Sequence, residues 1–153
     1  MDALNSRYIL AYSGGLSPDP GRTLSFQKGG QELIMLVVQV WPKSPSSKYY
    51  RASHKKEITK VRGATRFFEV APAELKEKGC DAEDLDMDQG GLVIWDARLS
   101  TMSRDTWSYF YLFVEEQYLM KRKASSSFWK GCIPPSSQDL DEVAGLGVDV
   151  HKG

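Results

Sequence analysis

At 153 residues, 41% hydrophobic and 26% charged, the chain is sized for one domain with a real core, and its aromatic content excludes disorder throughout. Twenty bases balance twenty acids, so overall charge points neither to a nucleic-acid binder nor to an acidic tail protein; only local blocks can do so. The longest apolar run, Leu33 to Val38 continued to Trp41, is too short to cross a bilayer as a helix.

Arg7 to Tyr12 (RYILAY) predicts a short strand, ended by Ser13-Gly14-Gly15. Arg22 to Gln27 alternates and should be a half-buried strand, with Lys28-Gly29-Gly30 as a tight hairpin candidate. Glu32 to Trp41 (ELIMLVVQVW) is apolar on both faces and predicts a central strand covered on both sides. A Pro/Ser loop follows, then a weaker strand near Tyr49, another over Glu57 to Val61 and a short one over Thr65 to Val70. Pro72 opens a predicted helix (APAELKEKG) with acids early, lysines late and Gly79 at its end. Asp81 to Gly91 is expected as an acidic loop, Leu92 to Leu99 as a strand and Thr106 to Val114 (TWSYFYLFV) as an aromatic strand. Glu115 to Lys123 fits either a strand extension or a short helix, and Phe128 and Trp129 are expected to dock. The Pro-, Ser-, Gly- and acid-rich stretch from 134 to 153 predicts a flexible tail after a single domain over 1–133. Strands dominate, so the expected class is mainly β: an antiparallel sandwich or barrel with one or two short helices and a C-terminal tail.

Charge falls in two adjacent blocks. Lys43, Lys48, Arg51, Lys55, Lys56, Lys60, Arg62 and Arg66 stand against one acid, Glu57; then Glu69 to Asp88 holds eight acids and two lysines. The basic block is the candidate site for an anionic partner, a nucleic acid or an anionic membrane surface, through phosphate neutralisation that carries affinity without sequence preference. In the acidic block, Asp84, Asp86 and Asp88 alternate as in the first half of a calcium loop. Gly90 comes one place late, however, and Trp95 stands where the bidentate Glu belongs. In the aromatic strand, Trp107, Tyr109, Tyr111 and Phe113 share one face, and Phe110, Leu112 and Val114 the other. Burial of both faces is expected, one in the core and one under a loop, a helix or a neighbouring subunit. If a neighbour covers it, Trp107, Tyr109 and Tyr111 form an interface.

No catalytic, cofactor or metal motif stands out. His54 is the only plausible base, with no carboxylate placed to orient it. Cys80 and Cys132 have no further thiol at ligand spacing and are expected as free thiols. The start MDALNSRYILAYSGG has an early acid and lacks the basic opening of a signal peptide, so an intracellular protein, soluble or peripheral, is expected. The leading expectation is a non-enzymatic structural protein that self-associates into a homo-oligomer through complementary charge, coat-like or matrix-like in type as in small viral proteins. A nucleic-acid-binding regulator or suppressor, or a small-ligand-binding β-barrel or enzyme, are the alternatives.

Overall fold

The computed structural model describes residues 7–43, 45–63 and 67–123, so the stretch from 134 to 153, Arg66, Cys132, Phe128 and Trp129 lie outside the described residues. The chain is mainly β, with two antiparallel sheets and two short helices. Sheet A has four strands, in the order β1 (Tyr8–Leu16), β10 (Ser108–Glu115), β3 (Met35–Trp41) and β8 (Gly91–Asp96). Sheet B has six: β5 (Lys60–Arg62), β6 (Phe68–Val70), β2 (Thr23–Ser25), β9 (Thr101–Ser103), β4 (Ser47–Tyr50) and β7 (Ala82–Asp84). Helix α1 (Pro72–Glu77) links β6 to β7, and α2 (Glu116–Lys123) continues directly from β10. The undecided segment after Val114 is therefore mostly helix.

The sheets pack face to face in a sandwich-like arrangement. Alternation drives it: every second residue of β10, Phe110, Leu112 and Val114, turns inward with Ala11, Leu16, Val37 and Trp95. Phe26, just past β2, wedges between Phe67, Trp95 and Phe110, with ring centroids 4.5–5.2 Å away. Tyr49 of sheet B meets Trp95 of sheet A edge-on. A hydrogen-bond chain also joins the sheets. Trp41 Nε1 donates to the Tyr49 hydroxyl, which donates to Gln39 Oε1, while Gln39 Nε2 donates to Ser108 Oγ at 2.7 Å. Burial pushes the Tyr49 phenol up to about 12.

Tyr50, one residue on from Tyr49, points the other way and joins Ile58, Val70, Leu75 and Cys80 in a second cluster. Helix α1 supplies Leu75, which is fully buried, so it roofs the outer side of sheet B. Tyr118 and Leu119 of α2 pack against the main core.

Four expectations change. Gly14 and Gly15 are not a turn: β1 runs through them, paired with Phe110 and Tyr109. They make room for rings, since a Cβ on Gly14 would lie 3.1 Å from the Tyr12 ring and one on Gly15 would lie 3.6 Å from the indole of Trp107. Lys28-Gly29-Gly30 closes no hairpin. It carries the chain from sheet B to sheet A, with both glycines at positive φ. The expected acidic loop contains β7, and Thr101–Ser103 forms a strand that no pattern announced. Finally, β3 is central in its sheet, but among the described residues only its inner face is packed by the other sheet, and Val40 on its outer face is exposed.

Candidate interaction surface

The outer face of sheet A is apolar and has no roof among the described residues. Cross-strand register sets it out in rows: Gly15, Tyr109, Val40 and Leu92 lie side by side, then Ser13, Tyr111, Val38 and Ile94, then Leu10, Phe113, Leu36 and Asp96. Trp107 lies over Gly15 at the end of the first row. Exposure is high where a core would need it low: 62% for Trp107, 67% for Tyr109, 56% for Leu92 and 63% for Ile94. Tyr111 and Val40 are exposed as well. The three aromatic residues singled out in the sequence therefore share one surface, and Val38, Val40, Leu92 and Ile94 extend it. The first two rows carry no charged side chain. At about 4.8 Å between strands and about 3.3 Å per residue, the face spans roughly 400 Å², a size at which exposed apolar patches are commonly functional.

The charge blocks touch at two ion pairs. Basic β4 pairs antiparallel with acidic β7, which places Lys48 opposite Asp84 and Tyr49 opposite Glu83. Lys48 Nζ lies 3.4 Å from Asp84, and Arg51 is ion-paired with Glu83. Asp84 is thus a strand residue facing a lysine. The other described bases of the block lie elsewhere. Lys43 follows the end of β3, and Arg62 lies on β5. Lys55 and Lys56 lie on the wall of an open cleft with Gly30, Gln31, His54, Glu57 and Arg98.

No family model, curated protein or solved structure matches the chain.

Lys60, counted among the anion-binding candidates, is buried. Its Nζ donates to Ser25 Oγ at 2.8 Å, Gln27 O at 3.2 Å and Arg98 O at 2.6 Å. No carboxylate stands among these partners. Close by, Arg98 forms a fork on Asp96, at 2.6 Å from Nη2, and pins the carbonyls of Gly30 and Gln31. Burial would push the Asp96 carboxyl up, but the hydrogen bonds and charge of Arg98 outweigh it and hold the group below the ordinary carboxylate range. Sequence pattern missed this cluster because its members come from three separate segments, 25–31, 60 and 96–98.

Burial pulls the Lys60 ammonium down from 10.5 to about 8, while the charge of Asp96 resists and that of Arg98 assists. Below pH 8 the amine is charged in both states, and the folded state bears the desolvation cost. Between about 8 and 10.5 the unfolded chain binds more protons, so this group makes stability rise with pH. Urea unfolding at pH 7 and pH 9.5 should show the protein gaining roughly 1 kcal/mol relative to Lys60→Met, a value reduced for the water that reaches the ammonium. Parallel pH dependence in both proteins would contradict a depressed amine. The raised phenols of Tyr8 and Tyr49 are common to both proteins and cancel.

No helix among the described residues is long and apolar enough to cross a membrane.

Proposed function

We propose that this chain is a non-enzymatic structural protein that self-associates through the outer face of sheet A, coat-like or matrix-like in type. The observation that carries this reading is the apolar face bearing Trp107, Tyr109, Tyr111, Leu92 and Ile94, which no described residue covers. Sheet B has its own outer side roofed by α1, so the asymmetry singles out one surface of the molecule. An anionic lipid or nucleic-acid surface fits that face poorly, since its first two rows offer no cation. A second copy fits it well: it presents the same neutral surface and excludes water from aromatic and aliphatic groups together.

The reading keeps self-association but moves its source from charge to apolar contact. Lys48 and Arg51 are already neutralised within the chain, which weakens a head-to-tail attraction between blocks. For an anionic partner, the better-placed bases are Lys55 and Lys56 on the cleft wall, with Lys28 on the neighbouring one.

Sedimentation velocity over a wide concentration range tests the proposal. The protein should grow in mass with concentration, and more so at high salt, because apolar association strengthens where charge attraction is screened. Tyr109→Lys with Tyr111→Lys should weaken association about 100-fold or more without altering the circular dichroism. A protein that stays monomeric throughout, or a double variant that associates as well as its parent, would end this reading.

A further inference from the structure

Among the described residues two open sheets present four edges, and three of them are protected against pairing with another chain. β5 is three residues long and bears the exposed Arg62, so two copies would repel. β7 is three residues long, too short to template a second chain. β1 is longer but is broken by an irregularity between Leu10 and Tyr12. β8 has none of these devices. It is six residues (GLVIWD), regular in register along its whole pairing with β3, and uncharged until Asp96, which Arg98 neutralises.

Its hydrogen-bond phase is fixed. Ala97 N–H donates to Met35 O, and alternation along the ladder then turns residues 91, 93 and 95 toward β3. The N–H and C=O groups of Leu92 and Ile94 face the free edge, where no described strand pairs with them. The same two residues hold their side chains on the exposed apolar face.

The geometry points to antiparallel pairing of β8 with β8 of a second copy, about a two-fold axis at Val93. In that register Leu92 stands opposite Ile94 of the second copy, and Ile94 opposite Leu92 of the second copy. Both are hydrogen-bonded positions, giving a ladder of about four main-chain bonds. Aliphatic side chains pair across the joint, and Val93 meets its own copy on the inner side. A register centred on Ile94 would instead set Leu92 against Asp96, so apolar matching selects Val93. Pairing joins two four-stranded sheets into one of eight and merges their apolar faces into a continuous surface. This rests on the self-association reading and adds a second, edge-to-edge contact to the face contact. Two independent interfaces on one subunit are what growth beyond a dimer requires.

Residue-resolved amide hydrogen exchange, at dilute and associating concentrations, is the test. The Leu92 and Ile94 amides should exchange at least about tenfold more slowly in the associated protein, because each gains a hydrogen bond. Along the backbone Ile94→Pro removes an N–H that points outward, a position where an edge strand accepts proline, and on the apolar face it trims one side chain. It should retain protection along β3 and lose at least about tenfold in edge pairing. Association that leaves both amides fast overturns the edge pairing and leaves the face contact standing. Ile94→Pro that is folded and associates with the parent's affinity and amide pattern also overturns it. A protein monomeric at every concentration overturns both. Should Ile94→Pro fail to fold, the exchange of the unaltered protein alone decides.

Discussion

Phe110→Ala should cost about 3–5 kcal/mol of folding stability, while Tyr111→Ala, the next residue, should change the monomer by no more than about 0.5 kcal/mol. The contrast follows from strand alternation at one point in β10. Phe110 is 2% exposed and packs its ring against Tyr12, Phe26 and Phe67, at centroid distances of 5.6, 4.9 and 5.7 Å. Truncation removes the transfer free energy of the ring and leaves a cavity. Those neighbours are themselves braced, Phe26 by Trp95 and Phe67, so collapse into the space is limited. For a domain of this size the loss corresponds to a fall in Tm of about 6–20 °C. Tyr111 is 39% exposed on the opposite face, so its truncation leaves the core intact. Thermal unfolding of the two variants at low protein concentration would decide it. Similar losses for both would mean that the outer face is a second core and not a free surface.

The alternation that separates these two residues was legible in the sequence, because TWSYFYLFV sorts its residues onto two faces without ambiguity. Whether the second face is covered was not legible. Exposure depends on what lies above a strand, and here α1 went to the far sheet. The same limit governed the charge blocks. Their signs were plain, but the cancellation of Lys48 by Asp84 and Arg51 by Glu83 needs β4 beside β7, a pairing that only the sheet order supplies. β7 itself exposes Ala82, Glu83 and Asp84 alike, so it has no two-residue period to detect. Gly14 and Gly15 gave the turn signal of glycine while serving as floor for the rings of Tyr12, Phe110 and Trp107. Lys60 looked like one more surface base, since nothing local to it foretells that Ser25, Gln27 and Arg98 converge on its amine.

Gly90→Ala should cost about 2–4 kcal/mol, and the loss should appear first in β8. Gly90 closes a turn, its N–H donating to Met87 O at 2.9 Å, with φ at +76°. Any L-residue with a side chain bears roughly 1 kcal/mol there. Space adds more. A Cβ at this position would fall 2.7 Å from Trp41 O and 2.8 Å from Pro42 C, and both are backbone atoms that cannot swing aside. Relief requires the end of β3 to move away from the start of β8, which opens the Trp41–Gly91 pair that ends this ladder. Gly79 provides the internal reference. It has φ at +70°, and a Cβ there would meet nothing within 4 Å, so Gly79→Ala bears the conformational cost alone, about 1 kcal/mol. The difference between the two variants in urea unfolding therefore isolates the close approach of the Trp41–Pro42 backbone; equal losses would show that no such approach exists. Because the frayed segment is the strand proposed to pair with a second copy, Gly90→Ala should also weaken that pairing under conditions where the domain remains folded, an effect that Gly79→Ala should not share.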